Sequence, residues 1–285
     1  MQRFIVLEKE VGQTPLQCME VWRSTKPELK DVPLAYAGRL DPMASGKLLV
    51  LIGDECKRQT EYHGLDKEYE FQVLFDVSSD SGDVLGIIRE SQLSDELSDW
   101  VRHGLAARSA QSESLIAELA KQLTGKIHFP YPAYSSKPVN GKPLHTWAVE
   151  GRLSEIEIPT YTATIYALKL NQSETKVRQD IYKEVSEKIE TIPPVTELRK
   201  AIGNDFRRPD IRKAWRKFSE SGSLDDEFLI ATFTCIGSSG LYMRTLAEEI
   251  ANRLNTTGLA YSIHRTKIGK YQNLLFRKGF WWKTF

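Results

Sequence analysis

The stretch Ala37-Gly38-Arg39-Leu40-Asp41-Pro42-Met43-Ala44-Ser45-Gly46 sets an Asp-Pro pair among glycines and other small residues. That composition predicts a tight loop whose backbone can approach a ligand closely, with the Asp41 carboxylate carried on it. A carboxylate there can act as a nucleophile if a cation keeps it ionised and water is excluded. Residue types alone leave a plainer reading open, because Asp-Pro also serves simply to start a turn. Upstream, residues 4–7 read as a short strand, and 15–23 as a helix with Thr14 as N-cap and Pro15 in its first position. The stretch 35–46 reads as loop. It runs into an apolar strand at 47–52 and then a short helix near 54–62. Residues 67–77 alternate as a strand, with Tyr69, Phe71, Val73 and Phe75 on one face, and 78–86 has the Ser, Asp and Gly content of a turn.

Farther along, helices are predicted near 94–104 and 113–123, an irregular segment at 130–141, and a short helix at 144–150. A strand at 161–170 precedes a charged, helix-prone stretch from 172 to 226. A strand at 228–235, an amphipathic helix at 241–254 and a last strand at 261–268 follow. There is no internal repeat. The pattern predicts a single α+β body over residues 1–285 with a charged helical insertion at about 172–226.

With 285 residues, 41% of them hydrophobic, the chain can bury one large core or two modest ones. Cys18, Cys56 and Cys235 are widely spaced and the five histidines are scattered, so neither a zinc site nor a disulfide framework is indicated. Reduced thiols in the cytoplasm are expected. The first ten residues carry Arg3, Glu8, Lys9 and Glu10 and no long apolar run, unlike a signal peptide. No stretch approaches the roughly 20 apolar residues of a spanning helix, so no membrane role is expected. The formal net charge of +1 gives no sign of a polyanionic partner, but its distribution does. From 199 to 217, Arg199, Lys200, Arg207, Arg208, Arg212, Lys213, Arg216 and Lys217 face only Asp205 and Asp210, with Phe206 and Trp215 interleaved. Residues 264–285 add six basic residues and no acid. Basic stripes with aromatics suit phosphate contact and base stacking, although a solvated amphipathic helix has the same composition.

The loop around Asp41 resembles the GxLDPxAxG signature of TruB-type pseudouridine synthases. Other blocks match in the same order. Lys67-Glu68-Tyr69 resembles the KxY strand, with Tyr69 lying 28 positions after Asp41. Ser79-Asp80-Ser81-Gly82-Asp83, closing at Gly86, is similar to the acidic TDTxDxxG turn. Tyr134-Ser135-Ser136-Lys137 and Asn140-Gly141-Lys142, continuing through 144–151, resemble YSAxKxxGxxLYxxARxG. Gly240-Leu241-Tyr242-Met243-Arg244-Thr245-Leu246-Ala247-Glu248 resembles the GTYIRTLxxD block. The likeness covers nearly the whole chain outside 172–226.

The resemblance implies an RNA pseudouridine synthase with a mixed, mainly antiparallel sheet flanked by helices, needing no metal and no cofactor. Asp41 would be the catalytic carboxylate, Arg244 its ion-pair partner, and Tyr69 the ring that stacks on the flipped uracil and assists loss of its C5 proton. Tyr242 would line the same pocket, Ile263 would pack on the base where the family has Leu, Asp83 would help hold the extruded base, and Lys9 would support the loop. Tyr36 replaces the His that precedes Thr-Gly in the family, and Glu10 replaces a proline after the lysine. The 14 residues after Tyr271 are expected to leave no room for the C-terminal RNA-binding PUA domain of many relatives. The substrate implied is uridine 55 in the TΨC arm of tRNA. Alternatives are another RNA target, or an RNA-binding or RNA-folding protein without catalysis.

Overall fold

The run Leu48-Leu49-Val50-Leu51-Ile52 has no polar face, and the fold covers both of its sides. In the computed structural model, Leu48 and Val50 pack with Cys18 and Met19 on one side of the sheet. Leu49 and Leu51 pack with Ala37, Leu65 and Ile268 on the other. Described are residues 2–90, 110–192, 205–274 and 277–285, apart from the side chains at 90, 110–113, 206, 274, 277 and 278. The helix expected near 94–104, and Arg199 and Lys200, lie outside them.

Strand β1 (Phe4–Lys9) is followed by helix α1 (Pro15–Ser24), whose start is a capping box. The Thr14 hydroxyl accepts from the Gln17 amide at 3.1 Å, and the Gln17 side chain accepts from the Thr14 amide at 2.8 Å. Next come β2 (Leu34–Ala37), β3 (Ala44–Ile52), a 3₁₀ turn (Gly53–Arg58) and α2 (Gln59–His63). Strands β4 (Asp66–Phe75), β5 (Val77–Ser79) and β6 (Ile88–Glu90) precede α3 (Ala110–Gln122). Strands β7 (Gly125–Pro130), β8 (Pro138–Val139) and β9 (Lys142–Pro143) lead to α4 (Leu144–Val149). Strand β10 (Thr160–Val177), helices α5 (Arg178–Glu190) and α6 (Arg208–Glu220), β11 (Glu227–Gly237), α7 (Met243–Arg253), β12 (Gly258–Leu274) and β13 (Arg277–Thr284) complete the chain.

Nine of these strands form one sheet in the order β1-β3-β12-β4-β11-β10-β7, with β2 on β3 and β13 on β12. All pairings are antiparallel except β3 with β12, where Ala44, Ser45 and Gly46 face Ile263, His264 and Arg265. The expected α+β class with a mixed, mainly antiparallel sheet is what is found. That parallel pairing explains Gly46: its φ is +105°, and a Cβ there would stand 2.4 Å from the Arg265 carbonyl oxygen. Only glycine fits.

Four expectations need correcting. The loop begins three residues later than expected and ends three earlier, because Leu34–Ala37 pairs with β3 and β3 itself starts at Ala44. A strand not expected, Gly125–Pro130, in which exposed Lys126 and His128 alternate with Ile127 and Phe129, pairs with β10. The sheet does not end at 268, since β13 adds a hairpin. The charged 172–226 stretch is more than an appendage. Its first six residues continue β10 beside β11, and Ile181, Val185 and Ile189 of α5 join Ile211, Trp215 and Phe218 of α6 in the main core. Apart from the buried Arg178 and Arg208, the charge lies mostly on the outer faces of these helices, which is why composition alone suggested a solvated insertion.

Candidate active site

The strand order brings four separate segments to one cleft of about 740 Å³. Strands β3, β12 and β4 are neighbours, and their registers set the loop entering β3 and the first residues of β4 on either side of residues 263–265 in β12. Helix α7 begins just after β11, the other neighbour of β4. Asp41, Tyr36, Tyr69, Tyr242, Arg244 and Ile263 all line this cleft. Asp83 and Lys9 stand behind it, one against Arg244 and the other against the Asp41 loop.

Arg244 is buried, and its Nε lies 2.9 Å from Asp41 Oδ2 and 3.7 Å from Asp83 Oδ2. The Nε–H is aligned with neither oxygen, so both contacts are coulombic. The other two nitrogens are fixed by backbone: Nη1 donates to Ser81 O at 2.8 Å and Nη2 to Tyr134 O at 3.3 Å. Burial alone would lower the Arg244 pKa, but the carboxylates of Asp41, Asp83 and Glu248 outweigh it and the net shift is upward. The guanidinium therefore stays charged although it is buried. Asp41, whose side chain is 41% exposed, is the member of the cluster a substrate can reach.

Asp83 is almost wholly buried. It accepts from the Ser81 hydroxyl at 2.7 Å and the Leu85 amide at 3.0 Å. Burial pushes its pKa up, against the pull of Arg244. Glu248 lies one helical turn beyond Arg244, and burial brings its carboxyl to about 7. Glu248 and Arg244 both crowd Gly82: a Cβ there would lie 3.0 Å from Glu248 Oε1 and 3.2 Å from Arg244 Cβ. The acidic turn is thus packed onto the helix that supplies the arginine.

Two fully buried cations grip the Asp41 loop through its carbonyl oxygens. Lys9 donates from Nζ to Gln13 O at 2.7 Å and Glu10 O at 2.9 Å, and reaches Pro42 O at 3.5 Å. Burial lowers its pKa to about 8, with Asp41 among the charges opposing that shift. Arg265 donates from Nε to Lys47 O at 2.7 Å and from Nη1 to Arg39 O at 3.1 Å, tying the loop's two ends together. The Gly12 amide adds a bond to Pro42 O at 2.8 Å. Glu10, expected to put a charge beside the loop support, does so with an exposed side chain while its carbonyl takes the Lys9 bond.

Tyr69 is core-facing and cleft-lining at once: it is 9% exposed and pairs with Cys235 and Arg265 across the sheet. Ile263, also buried, gives a second apolar wall. Tyr242 caps α7, and its ring meets Tyr161 and Tyr131 edge-on at 5.4 Å and 6.0 Å. Burial raises its pKa. Tyr36 projects from β2, with its carbonyl accepting from Gln59.

Arg265 and Glu248 were not singled out in the sequence. Period-two alternation could have found the first, because Arg265 falls two residues after Ile263 and so on the same strand face. Helical spacing could have found the second, four residues after Arg244. The basic stretch fares differently. Trp215 is wholly buried and donates to Val84 O at 3.0 Å, so it is a core residue and no stacking platform. Arg207, Arg208 and Arg212 are paired with Asp80, Asp205 and Glu190, whereas Lys213, Arg216 and Lys217 are exposed. Among the described residues, no group of His, Cys, Asp and Glu could hold a metal ion, and no helix is long and apolar enough to cross a membrane.

Residues 28–191 match the N-terminal domain of TruB family pseudouridylate synthases. The chain is 26% identical over 227 residues to tRNA pseudouridine synthase B of Caldicellulosiruptor saccharolyticus, covering 75% of this chain and 71% of that protein. To tRNA pseudouridine synthase 4 of Saccharomyces cerevisiae it is 30% identical over 254 residues, covering 81% and 59%. Among solved structures, a crystal structure of a Cbf5-Nop10-Gar1 complex contains a chain matched over 94% of this one and 49% of its own length, with a TM-score of 0.50 and 14% identity. That last likeness concerns the fold alone. The chain spans little more than half the length of several relatives, 59% in the yeast protein and 53% in the tRNA pseudouridine synthase B of Psychrobacter arcticus.

Proposed function

Because the chain belongs to the TruB family of pseudouridylate synthases, we propose that it isomerises uridine to pseudouridine in RNA, with Asp41 and Tyr69 as the residues that touch the reacting nucleotide and Arg244 as the ion-pair partner of Asp41. The observation that carries this reading is the meeting of three distant segments in one cleft. A reachable carboxylate lies 2.9 Å from a buried guanidinium, beside a tyrosine held in the sheet. The reaction breaks the bond from ribose C1′ to uracil N1 and forms a bond from C1′ to C5. The C5 proton leaves, and N1 gains one. It needs neither oxidant nor reductant. The cleft must take a base swung out of its helix, and the unstacking cost falls on binding energy from elsewhere in the RNA. Asp41 then acts ionised, steadied by Arg244; Tyr69 and Ile263 flank the base; Tyr242 lines the wall, and Asp83 holds Arg244 from behind.

The substrate we favour is tRNA, on the strength of the names its relatives carry, and within it uridine 55 of the TΨC arm, the position that the family resemblance implies. Exposed Lys213, Arg216 and Lys217, together with the basic final hairpin, would bind RNA phosphates, and the protein would work in the cytoplasm. Incubating the protein with a TΨC stem-loop, beside Asp41→Ala, tests the core of this. Pseudouridine from the wild type alone supports it. Tight binding with no product from either protein would leave an RNA-binding protein without catalysis, and mapping pseudouridine in cells with and without the gene would decide the target.

A further inference from the structure

Arg207 lies outside the cleft yet is joined to both supports of Arg244. Its guanidinium forks onto Asp80, with Nη1 2.5 Å from Oδ2 and Nη2 3.0 Å from Oδ1. It also donates to the Tyr134 hydroxyl and stacks on the Tyr134 ring, 4.2 Å from the centroid. The Tyr134 hydroxyl in turn donates to Asp80 Oδ2 at 3.3 Å, closing a three-membered cluster. Only 12% of the Arg207 side chain is exposed, so little of it is free to meet a phosphate. Its backbone is left-handed, φ +60°, a conformation an arginine keeps only where surrounding contacts hold it.

The consequence runs through the backbone. Asp80 directly precedes Ser81, whose carbonyl takes Nη1 of Arg244, and the carbonyl of Tyr134 takes Nη2. We propose that Arg207 is a positioning residue for the reaction at Asp41: by pinning the side chains of Asp80 and Tyr134 it fixes the two carbonyls from which the Arg244 guanidinium hangs. The bidentate pair and the stack both need the planar fork, which a lysine lacks. A second tie, from Trp215 to Val84 O, docks α6 on the same acidic turn. Helix α6 therefore buttresses the catalytic arginine from the side away from substrate. The inference rests on the proposed pseudouridylation, and the test separates the two.

Single-turnover conversion of the TΨC stem-loop is compared for wild type, Arg207→Ala, Arg207→Lys, Asp80→Asn and the Ala/Asn double variant, with RNA Kd and amide exchange measured in parallel. A small displacement of Arg244 lowers the rate about tenfold in Arg207→Ala, less in Arg207→Lys, while Kd stays within about twofold. The double variant is no worse than its worse parent. Exchange quickens at the amides of residues 81–87, because Asp80 Oδ1 also accepts from the Ile87 amide at 2.9 Å. An unchanged rate, a loss carried entirely by Kd, or additive effects in the double variant would each overturn the proposal. A weakened Kd would assign Arg207 to RNA contact instead. If Arg207→Ala does not fold, Asp80→Asn carries the same prediction. If the wild type makes no pseudouridine, the reaction is wrong, and the exchange data still decide whether Arg207 holds the turn.

Discussion

Replacing Arg244 with lysine keeps the charge and removes the fork, so it separates attraction from orientation. The wild-type guanidinium serves Ser81 O at 2.8 Å, Tyr134 O at 3.3 Å and the Asp41 carboxylate at 2.9 Å simultaneously. A single ammonium can take one or two of these, and its shorter stem draws it toward the backbone. Losing a charge-assisted bond to a buried carbonyl costs about 1.5–3 kcal/mol. The longer bond to Tyr134 is the one given up and belongs at the low end, which gives about 1.5–2 kcal/mol of lost stability. Asp41 adds little to that figure because its half-open side chain is screened by water. The rate suffers more. A shift of about 1 Å between cation and carboxylate lowers kcat about 100-fold. Single-turnover pseudouridylation and urea unfolding of the same samples read the two effects. Activity within about threefold of wild type, with an unmoved urea midpoint, would refute the argument that orientation matters.

Glu248→Gln should remove a pH-dependent penalty. The folded pKa of Glu248, about 7, exceeds the ordinary glutamate value of 4.5, so its stability contribution is complete below pH 4.5 and lost as pH rises through 7. The variant should therefore gain up to about 3 kcal/mol relative to wild type above pH 7 and little below pH 4.5, as read by urea unfolding across that range. Trp215→Ala should cost about 3–5 kcal/mol by the same measurement, because the indole is wholly buried and its N–H is bonded. Reversing the charges of Arg212, Lys213, Arg216 and Lys217 should weaken RNA binding and flatten its salt dependence, with most of the fold's stability kept. Unchanged affinity at moderate salt would remove these residues from the RNA surface. Gly46→Ala should destabilise strongly, since its Cβ would overlap the Arg265 backbone, and thermal unfolding would report it.

The elements with strong local signals were legible before any coordinates. Thr14 and Pro15 announced α1, the alternation of Tyr69, Phe71, Val73 and Phe75 announced β4, and α7 emerged from its apolar spacing. Elements stabilised mainly by partners were not. Leu34–Ala37 is too short to show a period, and β13 exists through its pairing with β12. The site divides in the same way. Asp41 could be placed on a tight loop from its Asp-Pro pair among glycines, but its role, and those of Tyr69, Tyr242 and Arg244, came from the resemblance of their motifs to those of the family. Arg265, a fully buried arginine satisfied largely by backbone carbonyls, is marked locally only by its alternation with Ile263.

The sequence, then, was enough to indicate the class of fold and the loop that carries the carboxylate, and, through its resemblance to the family, the arginine that pairs with it. The tertiary structure alone decided which charges are spent and which are free. Arg207 and Trp215 belong by sequence to one basic, aromatic stretch, yet one braces the acidic turn and the other fills the core. The reason is that a side chain's role depends on the desolvation and partners it meets, and residues more than a hundred positions apart supply those partners only when the sheet brings them together.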